Sequence, residues 1–108
     1  MNYKIIAIPK FEKELKRLVK KYPSLKKEYI ELVHILKENP EHGTRINKHC
    51  FKVRIAIASK GKGKSGGARV ITNFLVTDST VYLLSIYDKS EKENLTDKEL
   101  NELLQSLH

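Results

Sequence analysis

The stretch Phe51-Lys52-Val53-Arg54-Ile55-Ala56-Ile57-Ala58 alternates with a period of two, and residues 51–89 run on as FKVRIAIASK GKGKSGGARV ITNFLVTDST VYLLSIYDK. Phe51, Val53, Ile55 and Ile57 share one face of the first segment, and Lys52 and Arg54 share the other. That alternation predicts a strand with one buried side. The glycine- and lysine-rich segment 59–67 predicts a loop, Ala68–Val76 a second strand, Thr77-Asp78-Ser79 a turn, and Thr80–Tyr87 a third strand. Three successive strands joined this way form an antiparallel meander. If strand parity holds across it, Arg69, Ser85 and Tyr87 project to the same side as Lys52 and Arg54, with Lys89 just past the last strand.

Upstream, Tyr3–Ile8 is short, apolar and rich in isoleucine, which predicts another strand, stopped by Pro9. Phe11, Leu15, Leu18 and Val19 recur at helical spacing, as do Leu25, Tyr29, Leu32, Val33 and Leu36. Tyr22-Pro23-Ser24 separates the two helices, with Ser24 as the expected N-cap, and Asn39-Pro40 ends the second. Downstream, Thr96-Asp97-Lys98-Glu99 has the form of a capping box, flanked by Leu95 and Leu100 and followed by Leu103, Leu104 and Leu107 on one helical face. The predicted order is β-α-α-β-β-β-α. This is an α+β fold in one domain over residues 1–108, a helical hairpin packed on an antiparallel sheet, with the helices in one layer.

Charge is the strongest compositional signal. The chain has 108 residues and a formal net charge of +8, unevenly spread. Up to Lys64 there are 17 Lys and Arg against six acids, leaving +11; beyond it four basic residues meet seven acids, leaving −3. Such an imbalance favours a polyanionic partner in a salt-dependent manner. The single Cys50 cannot form an internal disulfide. No apolar run approaches the roughly 20 residues that span a bilayer, and the N-terminus lacks the apolar core of a signal peptide. A cytoplasmic protein is expected.

The loop tempts two nucleotide-binding readings, and both fail. Gly61, Gly63 and Gly66 match G-x-G-x-x-G, but that fingerprint must lead into a helix, and here Ala68-Arg69-Val70-Ile71 reads as a strand. Gly63-Lys64-Ser65 resembles the end of a Walker A loop, but Ala58 stands where its first glycine is required. What remains is a cationic loop whose glycines let backbone approach phosphates. Lys48, Lys60, Lys62 and Lys64 are the expected RNA contacts. Lys52, Arg54, Arg69 and Tyr87, with Lys89 at the rim, form the candidate site: forked donors for phosphate oxygens and a ring able to stack on a base. His34, His42, His49 and His108 lack neighbours at metal-ligand spacing, so neither a metal nor another cofactor is expected.

Three segments carry a family likeness: 51–56, the loop and strand 59–71 with its Gly66-Gly67-x-Arg69 ending, and Leu83-Leu84-Ser85-Ile86-Tyr87-Asp88-Lys89-Ser90-Glu91. Over about residues 45–100 the chain resembles the RelE/HigB toxins of bacterial type II toxin–antitoxin modules, nearest the HigB-like branch. The resemblance implies a ribosome-dependent mRNA endonuclease that inhibits translation without a metal. It implies cleavage by attack of the RNA 2′-hydroxyl on the adjacent phosphate, leaving a cyclic phosphate. It also implies neutralisation by a cognate antitoxin, of the helix-turn-helix HigA-like kind. Carried over by position, Lys52 and Arg54 are the paired cations of the first hairpin strand, Arg69 opens the next, and Lys89 is the basic residue after the last. In those roles Arg69 holds the phosphate, Lys52 is the expected general base and Lys89 the proton donor to the leaving oxygen, while Tyr87 stacks on a base or serves as acid or base. Two other activities stand beside it: the same fold hosts ParE-like toxins that poison gyrase, over which Lys52, Arg54, Arg69 and Lys89 favour cleavage, and the same cations would serve a non-catalytic RNA- or ribosome-binding protein.

Overall fold

The computed structural model describes residues 3–61 and 66–107. The elements are β1 (Lys4–Ala7), α1 (Pro9–Lys21), α2 (Leu25–Glu38), β2 (Thr44–Arg45), β3 (Cys50–Ile55), β4 (Ala68–Leu75), β5 (Thr80–Asp88) and α3 (Asp97–Gln105). The α+β class and the predicted element order hold. The short β2 is an addition, because two residues are too few to show a period.

The sheet has the order β1-β5-β4-β3-β2. Strands β2 to β5 are antiparallel neighbours, as the meander predicts. β1 lies parallel to β5, with Lys4 opposite Thr80 and Ala7 opposite Leu83, so the sheet is mixed and not wholly antiparallel. Alternation sets which side of a strand is buried and says nothing of its direction. The two-helix connection lets β1 enter at the outer edge of β5. Beyond Ile8, whose N–H still reaches the Leu83 carbonyl at 3.2 Å, α1 closes the edge: the Glu14 carboxylate accepts the Ile86 N–H at 3.3 Å and the Ser85 hydroxyl at 3.0 Å. A buried strand edge thereby keeps its hydrogen bonds without a strand beside it.

α1 and α2 bury Phe11, Leu18, Leu25, Leu32 and Leu36 against the sheet, and the Phe11 and Tyr29 rings meet at 5.8 Å. Val53, Ile55, Val70 and Ile86 are buried with them. α3 lies on the opposite face, where Leu95 and Leu100 line a cleft with Lys52, Ile71 and Tyr87. Helices therefore cover both faces, whereas a single layer was expected. The capping box forms, with Thr96 Oγ1 accepting the Glu99 N–H and Glu99 Oε1 accepting the Thr96 N–H, both at 3.1 Å. Ser24 stands at the N-cap position of α2 but does not cap it; its hydroxyl meets Ser59 Oγ at 2.8 Å and accepts the Ser59 N–H. Gly67 sits so close to β3 that an added Cβ would come 2.1 Å from the Ile55 carbonyl oxygen. Among the described residues no helix is long and apolar enough to cross a membrane.

Candidate functional site

Three strands contribute one row. Arg54 of β3 lies opposite Arg69 of β4, and Arg69 lies opposite Tyr87 of β5. One step along, Lys52 lies opposite Ile71, and Ile71 opposite Ser85. Directly opposed residues hold their Cβ atoms about 4.5–5.5 Å apart, so two arginines and a phenol are brought side by side. Like charges in opposed positions cost stability in a sheet, and an anion bound across them would reverse that cost.

The row is graded in exposure. Arg54 is exposed, Arg69 is 3% exposed and Tyr87 5% exposed. The Arg69 Nη1 donates to the Ala68 carbonyl at 3.0 Å. Burial lowers the Arg69 pKa from its ordinary value, and the nearby Arg54 charge lowers it further. Burial raises the Tyr87 pKa, against the opposing pull of Arg69 and of the Leu95 backbone. The Tyr87 hydroxyl is buried without a full hydrogen bond among the described residues.

Lys52 and Tyr87 share a cleft of about 140 Å³ with Asn94, Leu95, Asp97 and Leu100. Lys52 is half-buried there, its Nζ donating to Asn94 Oδ1 at 3.4 Å. The face expected to be open is thus roofed by the segment leading into α3, and only Arg54 stands clear. Ser85, expected on this face, is fully buried and its hydroxyl is engaged by Glu14. Lys89 is exposed past the end of β5, its N–H held by the Gly67 carbonyl at 3.1 Å.

The loop lysines separate. Lys62 and Lys64 lie outside the described residues. Lys60 pairs with Asp88 at 2.8 Å, with 11% and 0% of the two side chains exposed, so its charge is already answered within the protein. Lys48 is exposed, and its carbonyl accepts Arg45 Nη1 at 2.6 Å. His34 and His49 are exposed and His42 half-buried, while His108 lies outside the described residues. Among the described residues no group of three His, Cys, Asp or Glu side chains is placed to hold a metal ion. Two polar residues near the row carry no signal in the sequence pattern. Asn94 stands in a segment without periodicity, and Asp88 reads only as a charge at a strand end.

Residues 10–107 match the family described as the RelE toxin of the RelE / RelB toxin-antitoxin system. The chain belongs to the RelE toxin family. Its fold is that of E. coli toxin RelE. A mutant of that toxin in the free state matches at a TM-score of 0.66 with 14% identity, covering 100% of both chains. The isolated toxin matches at 0.56 with 17% identity, covering 98% of this chain and 99% of that one. The mutant in complex with an antitoxin RelBc peptide matches at 0.57 with 21% identity over 94% of each. As a member of the RelE family, the protein is a toxin of the toxin–antitoxin type.

Proposed function

We propose that this RelE-family toxin is a ribosome-dependent mRNA endonuclease of the HigB-like branch, acting as one domain in the cytoplasm. The observation that carries the reading is the Arg54–Arg69–Tyr87 row with Lys52 in the adjoining cleft. The scissile phosphate bridges Arg54 and Arg69, whose guanidinium forks match its oxygens and whose charge answers the dianionic transition state. Lys52 takes the proton of the RNA 2′-hydroxyl, whose oxygen attacks phosphorus. The bond from phosphorus to the 5′-oxygen breaks, and that oxygen takes up a proton. The products are a 2′,3′-cyclic phosphate and a free 5′-hydroxyl, so no metal or other cofactor is needed.

Burial keeps the Tyr87 phenol protonated, which suits it to donate that proton; Lys89 at the rim is the second donor. Entry of RNA to Lys52, Tyr87 and the buried Arg69 requires the cover over this face, the 94–100 segment included, to draw aside. Lys48, Lys62 and Lys64 bind neighbouring phosphates, whereas Lys60 is already paired. A helix-turn-helix, HigA-like antitoxin is the proposed partner, in keeping with a RelE structure that contains an antitoxin RelBc peptide.

The test is purified protein added to a translating extract, with and without a transition-metal chelator that spares magnesium, followed by mapping of mRNA ends. New ends on ribosome-bound message are expected. Inhibited translation with intact message would leave a non-catalytic ribosome binder, and loss of gyrase activity with intact message would indicate a gyrase poison.

A further inference from the structure

One end of the basic loop is tied down more firmly than a solvated lysine segment requires. The Lys60 ammonium donates to Asp88 Oδ1 at 2.8 Å, to Ser90 Oγ at 3.1 Å and to the Gly66 carbonyl at 3.4 Å, and it stands 5.5 Å over the Tyr22 ring. Asp88 Oδ1 also accepts the Ser90 N–H and hydroxyl. Next to it, Ser59 is bound to Ser24 in the turn between α1 and α2. Both ends of the loop are therefore gathered at one point: Lys60 enters it and binds Asp88 at the end of β5, and Gly66 leaves it with its carbonyl bound to Lys60.

That point adjoins three site residues. Asp88 stands between Tyr87 and Lys89, and it pairs across the sheet with Ala68, the neighbour of Arg69. Strand alternation turns the Asp88 side chain away from the Tyr87 face, toward Tyr22 and the helical pair. The pair thus grips the back of the strands whose front carries Arg69 and Tyr87. Removing two charges from water is costly, Asp88 Oδ2 is buried with no partner among the described residues, and a buried ion pair is weak evidence for stability. Fixing a geometry is the better-supported use.

We propose that Lys60 and Asp88 form a positioning latch that holds Gly66 and the Arg69–Tyr87 row in register for cleavage, with Lys60 making no RNA contact. The inference rests on the proposed endonuclease reading and concerns residues outside the reacting set. The latch acts on rate and leaves charge-driven RNA binding as it is.

The experiment compares Lys60→Met, Asp88→Asn, the double variant and Lys60→Arg in steady-state cleavage on programmed ribosomes at several salt concentrations. Lys60→Met and Asp88→Asn should each lower kcat on the order of 10–100-fold, with KM and the salt slope unchanged. The double variant should be no worse than either single change, and Lys60→Arg should restore much of the rate. An RNA-contact role predicts otherwise: Lys60→Met lowers the salt slope by about one, and Asp88→Asn cuts as well as the parent. That pattern overturns the latch. If Asp88→Asn does not fold, Ser90→Ala, which removes one bond from each partner, should lower kcat by a smaller factor, and an unchanged kcat overturns the proposal. If the parent protein cuts no message, the endonuclease reading fails. The latch is then judged by hydrogen exchange of the Lys89 amide, which Asp88→Asn must accelerate; equal exchange refutes it.

Discussion

A phenol buried beside a guanidinium has two claims on its proton. Burial disfavours the phenolate, and the Arg69 charge favours it; at Tyr87 burial prevails. Because the hydroxyl has no full partner, Tyr87→Phe removes an unmet group, and stability should change by less than about 1 kcal/mol in urea titration. Cleavage in the mRNA-end assay should fall by on the order of 10²–10⁴ if the phenol donates the leaving-group proton. A change that is silent in folding and loud in catalysis would separate the two roles. Arg69→Ala should lower the cleavage rate by about 10²–10³, and Arg69→Lys should recover little of it, since an ammonium cannot fork onto two oxygens. At Asp88, burial acts to raise the carboxyl pKa, but the Lys60 and Ser90 hydrogen bonds outweigh it and bring the pKa down to about 2. A depressed carboxyl pKa stabilises the fold above its unfolded value, and that contribution is lost as pH falls from about 4 toward 2. Melting curves across that range should show the parent losing stability more steeply than Asp88→Asn.

At the level of elements, two joints are open to test. Gly67 must lack a Cβ, because the Ile55 carbonyl oxygen occupies its place, so Gly67→Ala should cost on the order of 2–4 kcal/mol by denaturant unfolding. Thr96→Ala removes one side of the capping box and should cost about 1 kcal/mol. The second was legible in the sequence, since the box is a local pattern of four residues. The first was not, because close approach is a property of two strands together. The same division runs through the fold. The period of two at residues 51–57 placed Lys52 and Arg54 on one face, and their cross-strand neighbours Arg69 and Tyr87 followed by parity. Parity put Ser85 on that face, opposite Ile71, but could not show that Glu14 of α1 engages its hydroxyl. It was equally silent on which face α3 would cover and on the carboxylate that meets Lys60. Those are long-range facts, set by packing and not by any one segment's pattern.

For the whole molecule, the excess of positive charge up to Lys64 sets how it meets a polyanion, which on the proposed reading is ribosome-bound RNA. RNA affinity should fall linearly on logarithmic axes as salt rises, with a slope near −0.9 per phosphate neutralised on duplex and shallower on single strands. The strand order has a consequence in time. β5 lies between β1 and β4, yet it is the last strand in the chain. A growing polypeptide that stops short of Thr80 has β1 and β4 with no neighbour between them, and neither Tyr87 nor the Asp88 that meets Lys60. Lys4 must then find Thr80 across most of the chain, a distant pairing of the kind that slows folding. On the proposed reading, translation therefore yields no partly armed product: the strand that completes the sheet also brings the last member of the row.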